Sequence, residues 1–299
     1  VIIPERDNIV ELADCLAALY AAAGEWPEPF ETIVVVNRSP RDQYATLRQA
    51  YSAARWVFEQ RPLEFAKAVR TGLRVAQYDW VYLLNSDAVP DRGALHALRA
   101  HRDSDVFSIA SQILLKDKTR YREETNWGAL LLESGVAEIH DWIPRSAAPV
   151  ETFYAGAGAS LFQARLLRRF LNESVYSPFY WEDVEWGWRA RKLGYRSVFC
   201  PGSIVNHRQR STIGKYYTAA DVENITRRHR FLFHLRNLTT CGSLSRVIEE
   251  IAGSPEEIAA YFLHPRTYSR IAAGRVWNHL APVEDDEVFA AWNDSISRC

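Results

Sequence analysis

The sequence predicts an α/β protein in which a mostly parallel central sheet is flanked by helices, and three observations predict it. The runs VII (1–3) and TIVVV (32–36) are continuous β-branched stretches, the pattern of strands buried on both faces. Between them Ile9, Leu12, Leu16 and Leu19 recur at helical spacing, with Asp7 or Asn8 available as N-cap. The alternation then repeats, giving strand–helix–strand units and hence parallel pairing.

The repeats continue through a helix over 42–54, a strand over 55–58, a helix over 65–76 and the strand WVYLLN over 80–85. Farther on, Val184 and Trp188, then Trp186, Ala190 and Leu193, keep helical spacing after Pro178, and Gly194 supplies the stop. In that helix Glu185 and Arg189 form an i,i+4 pair and are expected to be structural. SVFCPGSIVNH (197–207) reads as a strand, a turn at Pro201-Gly202 and a second extended piece ending in His207. NITRRHRFLFHLRNL (224–238) is expected to pack its Phe and Leu face on the preceding domain, with a helix lying on a membrane surface as the alternative. Beyond it Pro255, Pro265 and Pro282 separate short pieces of a helical C-terminal tail.

Composition narrows the function classes. With 36 Lys and Arg against 37 Asp and Glu, the chain carries no bulk field that would draw in nucleic acid. Its 299 residues suffice for one large domain or a domain with an appendage. Cys15, Cys200, Cys241 and Cys299 lie far apart without a CxxC pair, which argues against a zinc cage and a disulfide framework and fits a reducing cytoplasm. No apolar run approaches the ~20 residues of a membrane span, and no signal peptide is recognised at the start. The absence of methionine leads us to expect a sequence that begins inside a longer gene product or omits modified methionines.

Three stretches carry chemistry. The strand WVYLLN ends in Asn85-Ser86-Asp87, where an acid just past a buried strand can hold a hard cation beside a phosphorylated ligand, or simply cap the next helix. No GxGxxG or GxxxxGK[ST] follows any strand, so phosphates need a cation or side chains such as Lys67 and Arg70, which are otherwise solvated helix residues. In SPFYWEDVEWGWRARKLGY (177–195), Glu182 and Asp183 stand at a helix N-terminus among large aromatics. The helix dipole favours their ionised form while water exclusion raises their pKa, a balance suited to a general base; Asp183 as an N-cap is the alternative. The rings, Trp181 among them, shed water from around the two acids. Finally, His207 opens HRQRSTIGK, in which Arg208, Arg210 and Lys215 form a set suited to gripping a diphosphate.

Taken in order, VIIPERDN, IVVVNRSP, LEFAKAVRTG, LLNSD, GAGASLF, FYWEDVEWGWRARKLGY and VNHRQRST resemble a family 2 glycosyltransferase of the GT-A fold, over about residues 1–238. The resemblance implies a catalytic domain over 1–238, with a nucleotide-binding half (1–100) and an acceptor and catalytic half (101–238), followed by a helical extension over 239–299. It implies that Asn85 and Asp87 fill the DxD-type motif, with Asp87 binding the Mg2+ or Mn2+ that bridges the donor diphosphate and His207 adding a metal or diphosphate contact. Asp183 is then the base, with Glu182 supporting it or meeting the acceptor beside Trp181. Pro4, Glu5, Asp7 and Asn37 would meet the nucleotide, and the loop containing Gly156 and Gly158 would line the donor sugar or acceptor. Two positions depart from the family pattern: Val36 stands where an Asp is usual before the Asn, and Asn85 replaces the first Asp of a full DxD.

The expected activity is metal-dependent, inverting transfer of a sugar from a nucleotide-diphosphate donor to a hydroxyl of a saccharide or lipid-linked acceptor, in cell-surface polysaccharide or glycolipid synthesis. The expected setting is the cytoplasm or the inner membrane face, with a homodimer or acceptor site as roles for the tail. Two readings compete with it. One is a decayed GT-A domain that binds nucleotide or sugar without turnover. The other is a nucleotidyltransferase, disfavoured by the lack of a Gly-rich, Lys-containing loop after the first strand.

Overall fold

The structure, a computed structural model, describes residues 1–116, 121–124, 126–141, 144, 146–171, 175–207, 213–240 and 242–297, with backbone only at 116 and 121–124. The chain opens as β1 (Ile2–Glu5), α1 (Ile9–Ala23), β2 (Ile33–Asn37), a 3-10 turn (Arg41–Tyr44), α2 (Ala45–Ala50), β3 (Arg55–Glu59), α3 (Phe65–Val75) and β4 (Trp80–Leu84). It continues through β5 (Ala88–Pro90), α4 (Ala94–Arg99), β6 (Val106–Lys116), β7 (Tyr121–Glu124), β8 (Ala129–Glu133), β9 (Val136–His140) and β10 (Val150–Thr152). The remainder is β11 (Ala159–Gln163), α5 (Ala164–Leu171), α6 (Glu182–Lys192), β12 (Arg196–His207), α7 (Ile213–Tyr216) and α8 (Ala219–Asn237). A tail of α9 (Leu244–Ala252), α10 (Glu256–Leu263), α11 (Pro265–His279) and α12 (Asp285–Ile296) follows. No helix among the described residues is long and apolar enough to cross a membrane.

The α/β expectation holds, with a helical C-terminal region. The sheet runs β10-β12-β6-β11-β4-β1-β2-β3, with β5 on β12 and β7 on β6. Its parallel part is β3-β2-β1-β4; β11 then enters antiparallel between β4 and β6, and β12 lies parallel to β6. Reversal at β11 has a geometric consequence. The amino end of β11 and the carboxyl ends of β1, β2, β4 and β12 all come to one edge of the sheet, where a ligand site belongs.

Alternation along β2 explains its continuous apolar run. Ile33 and Val35 pack into a core shared with α3, α5 and α6, while Val34 and Val36 pack into a second core beneath α1 and α4. The helix expected over 42–54 is shorter because Tyr44 is the buried anchor there, and α2 itself buries no residue fully. The turn expected at Pro201-Gly202 is instead a bulge within β12, whose register against β6 jumps between Cys200 and Ile204. Pro201 has no N–H for the ladder, so the strand bends there without ending. Cys15 and Cys200 are buried free thiols.

Helix α8 buries Phe231, Leu232 and Phe233 in the core that holds α5 and α6, the packing expected of it. The tail joins the same core: Phe262, Phe289 and Trp292 cluster with Trp186 and Trp188. Gly194, at φ 82°, ends α6, with Gly194 N–H donating to Arg191 O at 2.9 Å and Tyr195 N–H to Ala190 O at 2.9 Å.

Helix α6 is buried on almost every side although its sequence is highly charged. Glu185, Arg189, Arg191 and Lys192 find partners behind it. Lys192 Nζ lies 2.9 Å from Asp285 Oδ1, both side chains fully buried. Asp285 also accepts from Asn278 Nδ2 at 2.8 Å and from the Thr239 and Thr240 N–H groups at 2.6 and 3.0 Å. Glu185 takes Arg189 at 3.3 Å, the expected i,i+4 pair, and Arg236 of α8 at 2.7 Å. Removing one member of such a pair strands the other charge. Asp285→Ala is expected to destabilise the fold by about 3–5 kcal/mol in urea unfolding, and the double change Lys192→Met, Asp285→Leu by clearly less.

Candidate active site

A pocket of about 510 Å3 opens at the sheet edge where β1, β2 and β4 end, walled by the loop before β11 and the start of α6. Pro4, Glu5, Asn37, Asn85, Asp87, Gly156, Gly158, Trp181, Glu182, Asp183 and His207 all line it.

One end holds a carboxylate–imidazole pair. Asp87 follows β4, and His207 closes β12, whose antiparallel register with β5 sets His207 opposite Ala88. His207 Nε2 consequently lies 3.0 Å from Asp87 Oδ1 and 3.4 Å from Asn85 Nδ2. The capping alternative for Asp87 fails, because α4 begins only at Ala94 and Gly93 is its N-cap. Among the described residues no group of three or more His, Cys, Asp or Glu gathers anywhere. A complete protein cage is therefore absent from the described residues, but one carboxylate and one imidazole are donor types that suit Mg2+ or Mn2+, and would hold it together with ligands from outside the protein.

The acids sit at the other side. Tyr180 and Trp181 both take left-handed backbone, at φ 72° and 74°, and Trp181 is the N-cap of α6. Asp183 therefore lies inside the first turn rather than at the cap. Its Oδ1 accepts the Val184 N–H at 3.0 Å and its Oδ2 the Ala157 N–H at 3.4 Å. Burial pushes the Asp183 carboxyl up to about 6, against the pull of the N–H groups of Ala157 and Val184. Glu182 is only 4% exposed, its Oε2 has no hydrogen-bond partner, and burial followed by the Asp183 charge pushes its carboxyl well above the usual range. Burial and mutual repulsion thus favour the protonated form more strongly at Glu182, and Asp183, held by two N–H groups, is the readier of the two to carry the charge.

Glycines shape the wall between these ends. A Cβ on Gly156 would lie 2.3 Å from Asn126 Oδ1, and one on Gly158 would lie 3.0 Å from Asn85 Nδ2. Asn126 is the organiser that the sequence did not reveal. It accepts the Gly156 N–H at 3.0 Å and donates to Ser160 Oγ at 2.9 Å, with no motif around it to announce this.

At the end of β1, Glu5 is 1% exposed, accepts from the Asn8 N–H at 2.7 Å and the Tyr44 hydroxyl at 3.0 Å, and is pushed up by burial. Asp7 (φ 54°) accepts from Ser39 Oγ at 2.5 Å and from the Tyr216 hydroxyl. Burial works to raise its carboxyl, but those two bonds and the charges of Arg6 and Lys215 hold it below the usual range. Lys215 reaches Asp7 O at 2.6 Å and Asn8 Oδ1 at 2.5 Å, while Arg6 stacks 4.0 Å over the Tyr216 ring. Lys215 thus grips backbone and an amide here. Arg6, Tyr44 and Tyr216 were not foreseen, since only tertiary proximity joins them.

Other expected residues have different places. Asn37 clamps Leu63, accepting its N–H at 2.7 Å and donating to its O at 2.8 Å, so this amide braces the pocket wall. Val36 is fully buried in the core. Lys67 is exposed and paired with Glu64 at 2.8 Å, and neither it nor Arg70 lines the pocket. Arg208 and Arg210 lie outside the described residues.

Among solved structures, the chain is similar to GalNAc-T7 with UDP, GalNAc and Mn2+, at TM-score 0.60 and 11% identity, covering 84% of this chain and 56% of that one. It is also similar to the mannosyltransferase PcManGT from Pyrobaculum calidifontis in complex with GDP-Man and Mn2+, at TM-score 0.52 and 15% identity, covering 94% of this chain and 87% of that one. At such identities the likeness shows a shared fold, the GT-A fold. A search of curated proteins finds no match. The family model described as glycosyltransferase like family 2 matches residues 1–227, from β1 into α8, and the chain accordingly belongs to glycosyltransferase family 2.

Proposed function

We propose that the chain transfers a sugar, with inversion, from a nucleotide-diphosphate donor to an acceptor hydroxyl, its donor phosphates lying at Asp87 and His207 and its base being Asp183. A single observation carries this reading: one pocket contains a carboxylate–imidazole pair at one end and, at the other, a buried acid pair in which Asp183 accepts two N–H groups while Glu182 Oε2 has no partner. That two structures of the same fold hold a nucleotide or nucleotide sugar with Mn2+ supports it. A saccharide or lipid-linked acceptor, in cell-surface polysaccharide or glycolipid synthesis, extends the same reading.

Each residue then has a chemical task. Asp87 and His207 would hold a divalent cation, which when bound stabilises the charge that grows on the leaving diphosphate. Gly156 and Gly158 let the loop pack directly against Asn126 and Asn85, since a Cβ at either would meet those amides, and this fixes the wall between the two ends of the pocket. Asp183, ionised but of raised pKa, accepts the proton of the attacking hydroxyl. Glu182, whose carboxyl burial pushes toward the protonated form, can in that form donate a hydrogen bond to the acceptor. A lone base on the acceptor side implies single displacement and inversion, by the geometric reasoning used for glycosidases.

Calorimetric titration with UDP, GDP and dTDP, each with and without Mn2+, tests the donor site. One nucleotide is expected to bind only with metal, and Asp87→Ala and His207→Ala are expected to abolish that binding; metal-independent or absent binding of all three counts against the reading.

The base has a pH signature. Transfer requires the Asp183 carboxylate, so the rate should rise with pH and level off above about 6, and Asp183→Asn should lower kcat by about 10²–10⁴-fold. Stability runs in the opposite direction. Because folding raises this carboxyl from 3.8 to about 6, its stabilising effect is full below 3.8 and is lost as pH rises through 6. Asp183→Asn should therefore melt above the wild type at pH ~8 and show no such gain at pH ~3.

A further inference from the structure

His229, on α8, lies outside the pocket and is 1% exposed, yet its ring faces the loop that leads into the acid pair. Its Nδ1 is 3.1 Å from Phe179 O and 3.0 Å from Tyr180 O, and its Nε2 is 3.1 Å from Ser177 O. Arg228 Nη2 is 2.9 Å from the same Ser177 O and 3.4 Å from His229 Nε2. The ring edge packs on Tyr176 at 5.4 Å between centroids.

Hydrogen-bond chemistry fixes how these groups pair. Carbonyl oxygens only accept, and a neutral imidazole has a single N–H. Burial, with the Arg228 charge, pushes His229 down to about 4, so at neutral pH the ring is neutral. Two carbonyls crowd Nδ1, so the proton belongs there, shared between Phe179 O and Tyr180 O. Arg228 then supplies the N–H that Ser177 O needs and faces the bare lone pair of Nε2. In this tautomer the only ring lone pair near an oxygen is that of Nε2, with the Arg228 N–H groups beside it, whereas the Nε2–H form leaves the Nδ1 lone pair facing two oxygens.

The loop needs such a brace. Left-handed backbone is unfavourable at a bulky non-glycine residue, and here Tyr180 and Trp181 adopt it in succession. Such a conformation persists only where its surroundings over-determine it. Without that turn α6 would start elsewhere, and Glu182 and Asp183 would no longer point into the pocket.

We propose that His229 is a positioning residue for the transfer reaction: its Nδ1–H holds the carbonyls of Phe179 and Tyr180 and thereby sets the turn that presents Glu182 and Asp183. The inference rests on the donor and base assignment above. Histidine-15N NMR of the intact chain tests the hydrogen bonding without substrate, and Nδ1 protonated with Nε2 bare is expected; an Nε2–H tautomer or an imidazolium overturns it. Kinetics test the positioning, with hydrolysis of UDP-, GDP- or dTDP-sugars as the assay. In His229→Phe and His229→Gln, kcat should fall about 10–100-fold. Donor KM and nucleotide Kd should stay within about twofold, the pattern of a defect confined to the chemical step. The acid limb should also leave its wild-type position. His229→Asn, whose amide N–H falls where Nδ1–H was, should recover kcat to within about threefold of wild type. Unchanged kcat in His229→Phe, or equal losses in the Asn and Gln variants, overturns the proposal while leaving the donor assignment intact. A wild type that binds none of the nucleotides and hydrolyses none of the sugars overturns both. Should the Phe variant fail to fold, the Asn–Gln contrast and the NMR tautomer still decide.

Discussion

The burial of α6 is the constraint on which the rest of the molecule depends. This helix carries Glu182, Asp183 and Glu185 in its first turn and Arg189, Arg191 and Lys192 in its last, and nearly all of it is out of water. Burying an unpaired ion costs several kcal/mol, so an exposed helix would be far easier to build. The chain resolves this by surrounding α6 with partners. Glu185 has Arg236 and Arg189; Arg191 has Glu151 at 2.7 Å and the face of Trp292 at 4.8 Å; Lys192 has Asp285. Trp188 donates its indole N–H to Asn278 at 2.8 Å, and the Arg189 guanidinium covers Trp277 at 4.6 Å. Asn278, Asp285 and the two Trp partners all belong to α11 and α12. The C-terminal helices are therefore the back wall of the catalytic helix, and an appendage in sequence is part of the core in space.

A second dependence runs through the sheet. Parallel strands deliver β1, β2 and β4 to one edge, but that alone leaves the acid pair and the loop ahead of β11 without a shared address. The antiparallel entry of β11 brings Gly158 beside Asn85, whose N–H donates to Gly158 O at 2.8 Å. The return of β12, parallel to β6, brings His207 to Asp87 across a span of 120 residues. The bulge at Pro201 lies on this path and changes which residue of β12 reaches the edge. Asp87, His207, the loop ahead of β11 and the acid pair thus meet at one edge because one strand reverses.

How much of this was legible in the sequence follows from the range of each interaction. Apolar period gave the strands and helices of the first hundred residues, because buried faces repeat locally. Asp87, His207 and Asp183 were legible as members of an ordered set of short motifs, and Glu185 with Arg189 as a pair one helical turn apart. Arg236, 51 residues from Glu185, was not, since nothing local marks its partner. Asn37 shows the converse: its position suggested a nucleotide contact, yet Leu63, 26 residues away, occupies both ends of its amide. Lys67 looked available for phosphate, but Glu64 at one helical turn is the nearer partner. Asn126 and Tyr216 were invisible because a single polar residue in an undistinguished segment acquires meaning only from what folds against it.

The irregular features of the structure concentrate at the pocket. Tyr180 and Trp181 hold left-handed backbone, Asp7 does so at the end of β1, Glu182 keeps an unpartnered buried oxygen, and Glu5 is a carboxyl removed almost wholly from water. Around Lys192 and Asp285, by contrast, buried charge is closely bonded. Local violations of good packing survive when the surrounding structure compensates for them, and they are informative because folding alone would remove them. The compensation here is identifiable: the bonded back face of α6 anchors the helix while its front end is held in an unfavourable turn and an unfavourable charge state. A carboxylate kept at a raised pKa is a poorer contributor to stability and a better proton acceptor for the same reason, the lack of water around it.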